Sequence, residues 1–179
     1  RLREQFGILP PGDIRNCLVA LADAEPLMRE LFQFRFGSES ELNGHSFGNL
    51  FITAMCKVTG DFEKAIKESS KVLAIRGRVI PSTFDKVKLV AEYRNGQKTV
   101  GEMKIVKQNS PIQKIYLDPE HCKASSESFD AIAEADIIVL GPGSLYTSVI
   151  PNLLVDGIAE RIAQSRAPKV YICNVMTQS

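Results

Sequence analysis

Ile137-Ile138-Val139-Leu140-Gly141-Pro142-Gly143-Ser144-Leu145-Tyr146-Thr147-Ser148 is the stretch that decides the fold. Four apolar residues, three of them β-branched, run straight into two glycines, and small hydroxyl residues follow. That order predicts a buried parallel strand ending in a tight turn that opens a helix. In open α/β sheets, ligands collect at the carboxyl ends of such strands.

Working outward, a helical pattern over about residues 152–164 puts Leu154, Ile158 and Ile162 on one face. Pro168 ends it, and Val170-Tyr171-Ile172-Cys173 predicts a second buried strand. Strand, helix and strand have the size of a βαβ unit, whose crossover is right-handed. Just upstream, Phe129, Ile132 and Ala133 predict a helix over residues 126–134. The period is different over residues 78–118. Val87, Leu89, Ala91 and Tyr93 alternate with mostly polar neighbours, and Asn95-Gly96 is a two-residue hairpin signal. Residues 99–105 are the expected return strand and 112–117 another, so this is an antiparallel insertion, expected at the edge of the main sheet.

The first part of the chain reads as helices. Asp13 is the expected N-cap of one whose buried face carries Ile14, Cys17, Leu18, Leu21 and Ala22. Pro26 opens a second, with Leu27, Met28, Leu31 and Phe32. A third starts near Ser46, with Phe47, Leu50, Phe51, Ala54, Met55 and Val58 as its stripe and Ile52 and Cys56 on another side. Thr59-Gly60-Asp61 separates it from a fourth that packs through Phe62, Ala65, Ile66 and Leu73.

The composition belongs to an ordinary globular chain: 44% apolar, 24% charged and a formal net charge of +1 over 179 residues. A field that weak recruits neither nucleic acid nor an acidic membrane surface, and no apolar run nears the about 20 residues of a membrane helix. Cys17, Cys56 and Cys173 sit inside apolar patterns and are expected as buried free thiols. That points to a reducing compartment, the cytoplasm. Two histidines and four scattered cysteines make no zinc cluster.

Four constellations could carry chemistry. Gly141, Pro142, Gly143, Ser144 and Thr147 could cradle phosphate, because glycines admit close backbone approach and a helix start offers N–H groups. The turn is neither a P-loop nor a full dinucleotide fingerprint. Gly12, Asp13, Arg15 and Asn16 crowd a helix start. Asp13 reads as a cap before it reads as an acid, and Arg15 and Asn16, expected off the buried stripe, could bind an anion or face water. His45 and Asn49 share a side at the start of the third helix, as hydrogen-bonded core polars or as a pocket lining. Asn174, with Thr177, follows the last strand and should lie beside the Gly-Pro-Gly turn. His121 and Cys122 read as surface or packing residues.

Four stretches together resemble the gluconeogenesis factor family, the bacterial branch of the 2-phospho-L-lactate transferase-like superfamily. They are Gly7-Ile8-Leu9-Pro10-Pro11-Gly12-Asp13-Ile14-Arg15-Asn16-Cys17-Leu18, Gly44-His45-Ser46-Phe47-Gly48-Asn49-Leu50, Gly141 to Ser148 with Pro151, and Asn174-Val175-Met176-Thr177-Gln178. The resemblance implies an α/β fold with a Rossmann-like parallel sheet flanked by helices, carrying the antiparallel hairpin insertion, in a single domain over 1–179. It also implies a nucleotide site at the carboxyl ends of the strands. For this branch the implied ligand is a UDP-sugar such as UDP-N-acetylglucosamine. The implied role is regulatory: gluconeogenic growth, cell-wall precursor supply and cell shape, with protein partners in cell-wall synthesis and a homo-oligomer both compatible.

The other branch is a transferase of a phosphorus-containing group that uses a divalent metal. Under that reading Asp13 is the candidate catalytic residue. A binding protein without turnover is favoured here, since Asp13 and His45 are the only acid–base candidates in the four constellations and nothing in the spacing makes them meet. A partner-binding module with a vestigial pocket is the third reading. The Gly-rich strand-turn that the family places before Arg1, and its Pro-Gly-Glu after Gln178, lie outside this sequence. The expectation is therefore a fragment carrying half a nucleotide site.

Overall fold

The computed structural model describes residues 8–24, 26–39, 41–108 and 110–175. Gly7, Met176, Thr177 and Gln178, four of the residues that carry the resemblance, lie outside them. The chain forms two compact units, Arg1–Val79 and Ile80–Ser179, and the fold is α/β.

The first unit is helical: α1 Gly12–Leu21, α2 Pro26–Gln33, α3 Phe47–Thr59 and α4 Phe62–Val72. Ser46 caps α3, its Oγ accepting from Asn49 N–H, and Gly60 ends it with φ 70°. Asp61 caps α4, with Lys64 N–H donating to its Oδ1 at 2.7 Å. The core holds Leu18, Val19, Phe32, Ile52, Cys56, Ala65 and Leu73. Phe32 stacks with Phe47 and Phe51 at centroid distances of 5.8 and 5.0 Å, within the range where aromatic pairs add to burial. Helix α3 turns Ile52 and Cys56 inward with Gly48 and Thr53, and leaves Val58 81% exposed. The expected stripe through Ala54 and Val58 is thus rotated, because the helix packs on both α2 and α4.

In the second unit, β1 Lys88–Tyr93 is the centre of an antiparallel sheet with β2 Lys98–Val100 and β3 Ile112–Asp118, in the order β2-β1-β3. The hairpin turns at Asn95-Gly96, with Gly96 at φ 79°. The return strand is shorter than the alternation predicts. Gly101 takes φ 98°, ends β2 and starts a short helix, α5 Glu102–Ile105, whose Ile105 is buried against Ala91 and Tyr93. Among the described residues the sheet pairs with no strand of the parallel element, so it is a sheet of its own and not an edge of that element.

That element is β4 Ile138–Leu140 paired with β5 Lys169–Tyr171 in parallel, Val139 opposite Val170. Helix α6 Ser126–Glu134 precedes β4 with the bounds its apolar pattern predicts, and Ser125 caps it. The crossover is not one helix. A π-helical turn, Leu145–Val149, leads into α7 Ile150–Leu153, and Gly157 at φ 82° separates this from α8 Ile158–Gln164. The strands are also more open than expected: Val139 and Tyr171 are each 48% exposed. Each strand has one paired edge among the described residues, whereas parallel strands are buried when flanked on both sides.

All four cysteines are free, but only Cys56 and Cys122 are buried, and Cys17 and Cys173 are exposed. Cys17 sits one residue ahead of the inward-facing Leu18, and Cys173 follows the half-open β5. Burial is the main reason the Cys56 thiol is pushed up, with the nearby Asp61 carboxylate adding to it; burial likewise raises Cys122. A raised thiol favours the neutral form in the fold. Its contribution is therefore complete below the unfolded thiol pKa and is lost as pH rises through the folded value. Iodoacetamide at neutral pH is expected to label Cys173 first and Cys56 and Cys122 only on unfolding, as peptide mass mapping would read.

Candidate functional site

The predicted groups divide between the units. Asp13, Arg15, Asn16, His45 and Asn49 belong to the first, and Gly141, Pro142, Gly143, Ser144, Thr147 and Asn174 to the second.

In the first unit, Pro11 and not Asp13 occupies the N-cap of α1, with no side-chain cap; Arg15 N–H closes the first bond onto Pro11 O at 2.8 Å. Gly12 therefore opens the helix. Asp13 lies within its first turn, exposed, where the helix dipole favours a carboxylate. The larger departure is Arg15. It is 7% exposed, and its stem lies across Gly48 of α3. A Cβ on Gly48 would stand 2.9 Å from Arg15 Cδ and Cγ, so only glycine leaves room for the arginine to pass. A charged side chain reads as solvent-facing from sequence. The missing side chain at residue 48 is what lets it turn inward.

Arg15 donates through Nη2 to Asn16 Oδ1 at 2.5 Å, while its buried Nε has no hydrogen-bond partner. Burial lowers the Arg15 pKa, repulsion from Arg35 lowers it further, and Asp13 partly offsets both. Two guanidinium groups in one field, one of them with an unsatisfied N–H, suit an incoming anion. Arg35 went unread in the sequence; its only signal is its place between Phe34 and Phe36. It donates to Gly44 O at 3.2 Å and bridges antiparallel to Ser46. That bridge and the Phe36 N–H bond to His45 O fix the turn leading into α3. His45 precedes the cap and Asn49 lies in the first turn. Asn49 Oδ1 is buried without a hydrogen-bond partner, as a pocket lining would leave it.

Arg15→Met is expected to hold stability within about 1 kcal/mol or raise it, because it removes a buried, half-satisfied charge and keeps the stem. The same variant should reduce the upward shift of the unfolding midpoint by pyrophosphate, read by scanning calorimetry.

In the second unit, β4 ends at Leu140 and Gly141 turns with φ 83°. A Cβ there would lie 2.8 Å from Ile172 O. The turn is thus pressed against the chain leaving β5, where Ile172 N–H continues the ladder to Leu140 O at 2.9 Å. Ser144 caps the π-helical turn: its Oγ accepts from Thr147 N–H, and its carbonyl accepts from both Ser148 and Val149 N–H at 2.8 and 3.0 Å. Such π-turns concentrate at functional sites. Thr147 Oγ1 is buried with no hydrogen-bond partner. Asn174 lies where the parallel pairing predicts, its Nδ2 donating to Gly143 O at 2.9 Å. That bond ties the end of β5 to the turn after β4. His121 is exposed beside Asp156, Nδ1 to Oδ1 3.4 Å, and Cys122 packs under β3.

The pattern of the family described as 2-phospho-L-lactate transferase CofD matches residues 1–179. A relative from Nostoc sp. is 58% identical over 99% of this chain and 39% of its own. The gluconeogenesis factors of Halalkalibacterium halodurans and Bacillus subtilis are 52% and 51% identical, over 100% and 99% of this chain and 56% of each of theirs. A crystal structure of a Bacillus halodurans protein superposes with a TM-score of 0.94 at 52% identity, covering 99% of this chain and 57% of that one. The chain thus spans about half the length of the relatives it matches.

Proposed function

Because the chain belongs to the 2-phospho-L-lactate transferase CofD family, we propose that it holds the phosphates of a nucleotide-linked ligand at the turn after β4. The observation that carries this is the Asn174 to Gly143 hydrogen bond. It fixes the two strand ends against each other at a glycine backbone, and the π-helical turn that follows holds the unpaired Thr147 hydroxyl. Rigid, glycine-built turns at the carboxyl ends of parallel strands are where α/β proteins receive phosphate.

Two readings share that site. The family description supports a phosphoryl-type transferase, in which the turn would act by positioning and charge stabilisation. The names of the relatives support a gluconeogenesis factor. The finer form of that second reading is a cytoplasmic regulator that binds a UDP-sugar such as UDP-N-acetylglucosamine and serves cell-wall precursor supply and cell shape. The comparisons weigh more toward the first, and the lack of a nucleophile–base pair in the constellations favours the second. A divalent ion belongs to the transferase reading. Among the described residues no three His, Cys, Asp or Glu side chains gather as a metal site. Asp13 by itself is not a donor set, and no step is assigned to an ion. No helix among the described residues is long and apolar enough to cross a membrane.

Calorimetric titration with UDP-N-acetylglucosamine, UDP and GDP tests the proposal. Asn174→Ala is expected to weaken whichever nucleotide binds by about fivefold to tenfold, the scale of one lost hydrogen bond with its preorganisation, with the fold retained by circular dichroism. Unchanged affinity would remove the strand-edge site. Turnover of a nucleotide diphosphate donor onto a hydroxyl acceptor would select the transferase; binding of the UDP-sugar without turnover would select the regulator.

A further inference from the structure

The antiparallel sheet of the second unit supplies none of the candidate nucleotide-site residues, yet among the described residues it carries an open edge. Among the described residues, strand β2 is the last strand of its sheet. Tyr93 N–H bonds to Gln97 O, Gly101 N–H bonds to Leu89 O, and Ala91 stands opposite Thr99. In an antiparallel ladder the bonded residues alternate. Gln97, Thr99 and Gly101 therefore face β1, and Lys98 and Val100 turn their N–H and C=O groups outward.

Beside this edge lies an open groove of about 480 Å³ lined by Lys98, Thr99, Val100, Lys104, Lys107 and Gln108. Its ionisable groups are all cationic. Glu92 pairs with Lys98 at 3.3 Å and Lys98 also lies over the Tyr116 ring. No described carboxylate pairs with Lys104 or Lys107. Helix α5 and its end add apolar surface, with Met103 74% and Val106 63% exposed. Edge strands commonly carry lysine as a guard against pairing with like strands. The same charge invites a strand of opposite sign.

We propose that this edge docks an extended acidic segment of a partner protein, which adds to β2 as a further strand and sets its carboxylates against Lys104 and Lys107. The main chain of the segment supplies the pairing, and alternate side chains supply specificity, as in strand addition generally. A peptide fits better than a nucleic acid, because the groove offers main-chain donors and acceptors and no aromatic side chain in its lining for base stacking.

Fluorescence anisotropy with a labelled, capped Val-Glu-Val-Glu-Val peptide tests this directly. Binding to the intact chain is expected. The Lys104→Glu/Lys107→Glu double variant should weaken it about tenfold, the scale of two reversed exposed charge pairs. Val100→Pro removes an outward N–H and leaves the β1 ladder its bonds, so it should abolish binding with the circular dichroism unchanged. An N-methylated peptide, blocked along its pairing edge, should not bind, and this arm needs no variant to fold. The proposal is overturned if the Glu peptide does not bind, or if the blocked peptide binds equally well. It is also overturned if the double variant leaves affinity unchanged, or if oligothymidylate or phosphatidylserine vesicles bind more tightly than the peptide.

Discussion

Gly48→Ala is expected to destabilise the protein by about 2 kcal/mol, lowering the unfolding midpoint by roughly 4–8 °C. In an open helix the sign would be the reverse, because Ala gains about 1 kcal/mol over Gly from backbone entropy. Here the new Cβ would stand 2.6 Å from the main-chain oxygen of Phe32 and 2.9 Å from the Arg15 stem. The arginine can move, but the Phe32 carbonyl cannot without shifting the end of α2, which carries the fully buried Phe32 ring. The overpacking cost exceeds the entropic gain. Displacing Arg15 should also reduce the response to pyrophosphate. Gly12→Ala is the matched control: it lies in α1 with nothing within 4 Å of a Cβ, and stabilisation is expected. Scanning calorimetry of the two variants decides. Shifts of the same sign would contradict this account of Gly48.

Gly141→Ala is expected to cost about 3 kcal/mol and to abolish nucleotide binding. Part of the cost is conformational, since an L side chain at φ 83° pays roughly 1–2 kcal/mol. The rest is steric, from a Cβ 2.8 Å from Ile172 O. Relief requires β4 and β5 to part at their carboxyl ends, which pulls Asn174 from Gly143. Gly143→Ala meets Ser148 Cβ at 3.2 Å, with Ser148 Oγ and Val149 Cγ2 at ordinary contact distances of 3.8 and 3.9 Å, and has no positive φ to satisfy, so its cost should stay under about 1 kcal/mol. Urea unfolding of the pair checks both the order and the gap. Equal midpoints would show that the turn is not pressed against β5.

Local signals carried the parts of the fold that depend on neighbours in sequence. Phe129, Ile132 and Ala133 at helical spacing and Asp61 after a glycine each name an element whose bounds the structure repeats closely, and Asn95-Gly96 names the place of the hairpin turn. The misread parts depend on neighbours in space. Leu154, Ile158 and Ile162 continue one helical pattern across a break that Gly157 makes with its positive φ. Thr99 to Ile105 alternates enough to look like a strand, yet Gly101 turns the chain and Ile105 buries itself as a helical residue. In the candidate site, Asn174 was legible because parallel pairing brings the ends of two strands together. Arg15 was not, because its burial rests on an absent side chain at residue 48, in another helix. Arg35, whose field reaches Arg15, carries no motif at all.

Hydrogen exchange along residues 141–149, with and without nucleotide, tests the central claim most directly. If the turn after β4 holds the phosphates, saturating UDP-N-acetylglucosamine or the nucleotide diphosphate that binds best slows exchange at the amides of Gly143 to Ser148. The Asn174→Ala variant loses that protection at the same ligand concentration. Bound nucleotide that leaves these amides exchanging as in the free protein would contradict it.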